Sequence, residues 1–174
     1  MTRSDILSKI DNPKELEKLY EMIGLGGLKF FLLKVDPKKK MIFNPEESID
    51  LHGYTATFIQ YTHARIKSVL RKEMPDLDAI SPSGALLPLE KDLIIALERY
   101  PAIIEDAANE HNPSVIANYA YSLAKIFNSF YTEHSIASAE THNKKNLRLK
   151  ISMMTAHVIA SAMGLLGIQV PERM

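Results

Sequence analysis

The sequence predicts an all-α fold, a packed helical bundle, and three observations carry that reading. Apolar residues recur at three- and four-residue steps along most of the chain, the spacing that lines one face of a helix. No stretch alternates apolar and polar residues at period two between hairpin turns, as a half-buried strand would. Proline and N-capping side chains stand at the heads of the periodic segments, where the first amides of a helix have no partner within it.

The elements follow in order. Asn12-Pro13 caps a first helix through Leu16, Leu19, Tyr20 and Ile23, after which Gly24-Leu25-Gly26-Gly27 leads into Leu28-Lys29-Phe30-Phe31-Leu32-Leu33. The segment 44–50 bridges to a long helix over 58–72, with Phe58, Thr62, Ile66, Val69 and Leu70 as its apolar stripe. The Pro- and Ser-rich loop 74–84 is long enough to be mobile. Leu86, Leu89, Leu93, Leu97 and Tyr100 trace a third helix, ended by Tyr100-Pro101. Asn112-Pro113-Ser114 opens a fourth, with Ile116, Tyr119, Leu123, Phe127 and Phe130 on one stripe. The last helix carries Leu147, Ile151, Met154, Val158 and Leu165, and Gly164 and Gly167 offer positive-φ stops.

A chain of 174 residues, 46% hydrophobic and 24% charged, has the composition of a folded domain and not of a disordered segment. No apolar run is long enough to span a bilayer, and the first ten residues lack the shape of a secretory signal, so a cytoplasmic protein is expected. The absence of cysteine excludes disulfides, thiol nucleophiles and thiolate metal sites together. Formal net charge is zero, from 21 Lys plus Arg against 21 Asp plus Glu, so any nucleic-acid binding must come from local asymmetry. Three clusters offer it: Lys38-Lys39-Lys40; Arg65, Lys67, Arg71 and Lys72; and Lys144, Lys145, Arg148 and Lys150.

Most enzymatic signatures are missing. Gly24, Gly26 and Gly27 have neither the spacing nor the strand-turn-helix context of a phosphate loop, and helix packing or a hinge is their expected role. His52, His63, His111, His134, His142 and His157 never pair three or four residues apart, so metal binding is not expected. Ser81-Pro82-Ser83-Gly84 is not a nucleophile elbow, and neither Glu46-Glu47 nor Glu172 suggests acid and base work. Tyr131 stands out because the stripe that buries Phe127 and Phe130 turns it toward the helix edge, where a ring is either core with a wet hydroxyl or a platform for an unstacked base.

Two runs carry a resemblance. Gln60-Tyr61-x-His63-Ala64-Arg65-x-x-Ser68-x-Leu70-Arg71-Lys72, followed at a distance by the ending Pro171-Glu172-Arg173-Met174, resembles the carboxy-terminal part of arginyl-tRNA synthetases. That resemblance implies the all-α anticodon-binding (DALR) bundle of class I synthetases over residues 51–174, with 1–50 as a stem from the tail of a catalytic domain. It implies tRNA binding through Tyr131 and Met174, with Ser135 where some members carry a second aromatic and His134 able to supply the missing surface. Lys144, Lys145 and Arg148 are expected to meet phosphate. Gln60, Tyr61, His63 and Arg65 form the motif helix, where His63 is expected to fix packing and not to act as a base. The parent enzyme would ligate arginine to its tRNA with ATP and magnesium. This chain lacks the His-x-Gly-His and Lys-Met-Ser-Lys-Ser-like segments, and is expected to hold no cofactor, to form no arginyl adenylate alone, and to be a monomer that meets tRNA and its own catalytic domain. Two other readings stay open: the equivalent domain of another class I synthetase, and a non-enzymatic helical module docking protein through Met153, Met154 and Met163.

Overall fold

The structure, a computed structural model, describes residues 12–42, 44, 50, 53–78 and 85–174. Among these it holds six helices and no strand: α1 (Pro13–Leu33), α2 (Ala56–Leu70), α3 (Pro88–Glu98), α4 (Tyr100–Glu110), α5 (Ser114–Glu133) and α6 (His142–Leu165). His52, Glu46-Glu47 and the Ser81-to-Gly84 run lie outside the described residues.

Short polar side chains set the helix starts. Asn12, Thr55 and Thr141 accept from the amides of Lys14, Phe58 and Lys144, satisfying donors that the first turn leaves orphaned. At α3 the reciprocal bond does this work, the Leu87 amide donating to Glu90 Oε2 at 3.0 Å. Asn112 Oδ1 accepts from both the amide and hydroxyl of Ser114 ahead of α5. The third periodic segment is α3, which stops at Glu98 ahead of Tyr100-Pro101, and a further helix not expected from the sequence, α4, starts at once with Pro101 in its first turn, where no amide is needed.

The centre of the bundle is α2, α5 and α6 packed pairwise, with α3 on α5 and α6, α4 on α5, and α1 on α2 and α5. Ile59, Ile66, Leu93, Leu123, Phe127, Phe130, Ile159 and Met163 are fully enclosed between them. In α6 the expected stripe is only half right. Met154 and Leu165 are exposed, while Arg148, Ser152, Thr155, Ala156 and Ile159 are buried. This helix is wrapped by α2, α3 and α5, so it buries more than one face and shows no single apolar period. Its buried hydroxyls need no outside partner: Ser152 donates to Arg148 O at 2.7 Å and Thr155 to Ile151 O at 2.8 Å. Gly164 lies inside α6, and the stop is Gly167 at φ 67°, where the Ile168 amide returns to Met163 O.

No hinge forms at Gly24 to Gly27. α1 runs through without a break, and Gly26 packs close against α2: a Cβ there would lie 2.7 Å from Gln60 Nε2 and 3.3 Å from Ile168.

Candidate nucleic-acid interface

The two signatures read from the sequence fold onto one another. Gln60, His63, Lys67 and Arg71 recur at three- and four-residue steps on one face of α2, and the chain after α6 lies along that face. Gln60 Nε2 donates to Gln169 O at 2.8 Å and to Met22 O at 3.3 Å, tying this segment to α1 as well. His63 Nδ1 meets Pro171 O at 2.9 Å, which fixes the tautomer with the proton on Nδ1. Arg71 Nη1 donates to Glu172 O at 2.8 Å, and Lys67 Nζ pairs with the Glu172 carboxylate at 2.9 Å. From the other side Lys29 Nζ donates to Gly167 O at 2.6 Å. Burial lowers the pKa of His63, with Lys67 and His157 adding to it against the Pro171 bond and Glu172. A neutral imidazole therefore holds the latch. The tail has little helical structure of its own, yet Pro171 and Met174 end up buried against the bundle.

Tyr131 stands where this latch meets α5. Phe127 and Phe130 point inward, and Tyr131, one position further round, keeps 38% of its surface exposed. The Phe127 ring backs it at 6.1 Å with planes 27° apart. The Arg65 guanidinium lies 5.2 Å from the Tyr131 ring and 4.7 Å from the Tyr61 ring, so one cation bridges two aromatic faces. Arg65 also donates to Asn128 Oδ1. Asn128 in turn is fixed through Nδ2, which donates to Thr62 Oγ1 at 2.7 Å and Ala124 O at 2.9 Å. The ring is thus held by a chain of contacts from α2 while part of the residue remains open to solvent.

A groove opens on each side of Tyr131. The first, about 300 Å³, runs between α2 and the tail and is lined by Tyr61, Arg65, Ser68, Arg71, Lys72, Arg173 and Met174. It holds four cationic side chains and no acidic one. The second, about 340 Å³, lies toward the α5–α6 connection and shares Val69, Lys72 and Tyr131 with the first. Met174, 7% exposed, forms the far end of the first groove and is a seated residue, not a frayed one.

The other expected site residues divide. Ser135 and Lys145 line the second groove, and Lys145 Nζ pairs with Glu73 at 2.6 Å. His134 caps α5, its amide donating to Phe130 O and its ring lying 5.9 Å from that of Phe130, and it lines neither groove. Arg148 is placed against expectation. It is 1% exposed, with Nε on Glu90 Oε1 at 2.9 Å, Nη2 on Glu140 and Nη1 on Ser135 O at 2.7 Å. Lys144 joins the same network, donating to Glu90 Oε2 at 2.6 Å and to Ala85 O at 2.8 Å. Their charge is spent on Glu90, a carboxylate buried in α3, and not offered to phosphate. Burial pushes Glu90 up, but bonds from Lys144, the Leu87 amide and Arg148 outweigh it and hold its pKa below the usual carboxylate value. Sequence reasoning missed this sink because Glu90 sits more than fifty residues from either cation. It grouped Arg65, Arg71 and Lys72 as a basic cluster but did not set them beside Tyr131 and Arg173 in one groove. The Tyr61-to-Arg65 step of four was the available signal.

Among the described residues no three His, Asp or Glu side chains converge as a metal would need, and no helix is long and apolar enough to cross a membrane. The site is suited to binding, with a partly exposed aromatic ring, cations beside it and a seated apolar end.

Comparison with known proteins agrees. The arginine–tRNA ligase of Flavobacterium psychrophilum is 51% identical over 98% of this chain, and that of Phocaeicola vulgatus 46% identical over 97%; in each case the match covers 29% of the relative. The arginyl-tRNA synthetase structure of Thermus thermophilus superposes with a TM-score of 0.87 at 31% identity, over 97% of this chain and 29% of that one. The Plasmodium falciparum enzyme, at 22% identity and a TM-score of 0.82 over 98% of this chain and 30% of its own, shares the fold. The chain therefore spans under a third of the length of these relatives. With the motif helix, the latched tail and Tyr131 all inside residues 59–174, which match the DALR anticodon binding domain, the chain belongs to that family.

Proposed function

We propose that this chain binds the anticodon loop of a tRNA by seating one splayed base against Tyr131, in the groove that leads to Met174, with cations of that groove engaging the adjacent phosphates. The observation that carries this reading is the partly exposed Tyr131 ring, braced by Arg65 and Phe127 and facing a groove with four cationic side chains and no acidic side chain. An aromatic face accepts any base, and nearby cations follow the backbone. The relatives are named arginine–tRNA ligases, so an arginine-accepting tRNA is the proposed partner. Within such an enzyme ATP, magnesium and arginine would act on a separate catalytic domain. The chain itself is proposed to be cytoplasmic, monomeric and without a cofactor, and to form no adenylate alone.

The test is a fluorescence-anisotropy titration of anticodon stem-loop RNAs. Tyr131→Ala is expected to weaken binding by about 1 to 3 kcal/mol, the worth of one base–aromatic stack. Tyr131→Phe, which keeps the ring, is expected to retain most of the affinity. Equal binding by the Ala variant with intact helicity would remove Tyr131 from the interface.

A further inference from the structure

The chain after Gly167 is held to the bundle by side chains of other elements. Ile168 returns its amide to Met163 O, and among the described residues no later amide of the tail makes a backbone bond. Beyond that point the anchors come from one face of α2: Gln60 on Gln169 O, His63 on Pro171 O, Arg71 on Glu172 O and Lys67 on the Glu172 carboxylate. Ile168 belongs to the enclosed core, whereas Met174 is buried without belonging to it. A segment with so few ties of its own can leave the surface at less cost than unfolding the bundle.

We propose that residues 169–174 open as a unit while the six helices stay folded, that a proton on His63 drives the opening, and that only the closed tail completes the RNA groove. The link to RNA rests on the reading of Tyr131 as its platform; the opening itself does not.

His63 is the middle anchor and is 2% exposed. Its Nδ1 proton already serves Pro171 O, so a second proton adds no bond to the tail and leaves a charge in a dry site. The charges around it do little to help. Lys67 on its own helix and His157 on α6 oppose a cation there, and Glu172 of the tail, which favours one, is already paired with Lys67 at 2.9 Å. α1 contributes Lys18, Glu21 and Lys29 beside the start of the tail, at Gly167 to Gln169. Lifting the tail uncovers the ring and returns the charge to water.

The direction with pH follows. In the closed form burial, with Lys67 and His157, outweighs Pro171 and Glu172 and holds the His63 pKa below 6.5; in the open form the ring takes its ordinary value. The closed tail is therefore most stable above 6.5, and the open-to-closed ratio rises as pH falls, by at most about tenfold between about pH 7.5 and 5.5. Opening withdraws Arg173 and Met174 from the groove that they line. His63 is then a positioning residue: it touches no RNA and sets the segment that ends the groove.

Release of Met174 by a carboxypeptidase tests this, because its rate follows the open population when opening and closing outpace cleavage. The full 174-residue chain is used, with a free peptide of residues 170–174 as the reference at each pH. From about pH 7.5 to 5.5 the referenced rate is expected to rise severalfold, up to about tenfold, with helicity by circular dichroism unchanged. His63→Asn, which keeps an N–H for Pro171 O and takes up no proton, is expected to hold the rate level. His157→Gln, an exposed change on α6, removes a like charge and is expected to lessen the rise; it carries the test alone where His63→Asn loses helicity. A saturating anticodon stem-loop RNA is expected to slow release at either pH. A level rate in the unaltered chain, or a rise that the variant leaves as large, overturns the proton latch whatever the RNA does. A rise that His63 controls but that RNA does not slow overturns the tie between tail and groove. Binding indifferent to Tyr131→Ala removes the platform and leaves the RNA-free result standing.

Discussion

Arg148→Ala distinguishes a structural cation from an RNA ligand, and its cost follows from the atoms it leaves behind. Glu90 has no exposed side-chain surface and Arg148 almost none, at 0% and 2%. Removing the guanidinium strips Glu90 Oε1 of its partner and leaves Ser135 O without its donor, while Oε2 keeps Lys144 Nζ and the Leu87 amide. Breaking one side of a buried ion pair costs about 3 to 5 kcal/mol. The retained Lys144 contact puts the expected loss near the lower end, about 3 kcal/mol. Replacing both partners, Glu90→Gln with Arg148→Met, removes the buried pair but leaves Lys144, 12% exposed, with Ala85 O and without its carboxylate, and is expected to recover part of the loss. Urea unfolding followed by circular dichroism measures both variants. The sign with pH is also fixed. The folded pKa of Glu90 lies below its ordinary value of 4.5, so its contribution is fully present above 4.5 and lost as pH falls from there toward the folded value. Arg148→Ala should reduce that dependence, since Lys144 and the Leu87 amide still lower the pKa of Glu90. A loss under about 1 kcal/mol, the range of exposed pairs, together with weakened RNA binding, would show that Arg148 faces the ligand and refute the argument.

Other expectations follow from single contacts. Gly26→Ala would press a methyl against Gln60 Nε2, which two carbonyls already hold, and is expected to destabilise by about 1 to 3 kcal/mol in thermal or urea unfolding. Gly24→Ala, with nothing within 4 Å of the new Cβ in the same helix, is expected to stabilise by about 0.5 to 1 kcal/mol. The folded pKa of His63 lies below its ordinary 6.5, so the unfolded chain takes up the proton first. Stability should decline as pH falls from 6.5 toward the folded value, and His63→Asn should flatten that part of the pH–stability profile. Arg65→Met, which removes the charge bridging Tyr61 and Tyr131, is expected to weaken stem-loop binding by about 1 kcal/mol with little change in stability.

What the sequence made legible was local. The caps at Asn12 and before Ser114, the stripes of α2 and α5 and the all-α class depend on residues a few positions apart, and each appears where periodicity put it. The motif helix and the tail could be recognised separately, but nothing in either announces that Gln60, His63, Lys67 and Arg71 are there to hold residues 169–172. Arg148 was misread for the same reason. A cation in an exposed-looking Lys-rich run resembles a phosphate ligand until a glutamate from α3 is placed beside it. The stripe of α6 failed because a helix surrounded by three others has no polar side for its pattern to mark.

The neutral net charge bears directly on how this interface should respond to salt. Four cations line the first groove, but Arg65 is engaged by two rings and Asn128, and Arg71 by Glu172 O. Lys72 and Arg173 are both exposed in this groove, whose lining holds no acidic side chain, so they are the leading phosphate contacts. Two to four neutralised phosphates on a single-stranded loop, at about 0.7 per contact, give a slope of log K against log salt between roughly −1.5 and −3. That is shallow for a nucleic-acid protein, and stacking on Tyr131, which no counterion screens, must then supply most of the remaining affinity. Titrations of one stem-loop from low to physiological salt measure the slope, and Lys72→Ala should reduce it by about 0.7. A slope steeper than about −5 would require many more phosphate contacts than this groove can make, and would move the interface to the lysines at 38–40 or elsewhere on the surface.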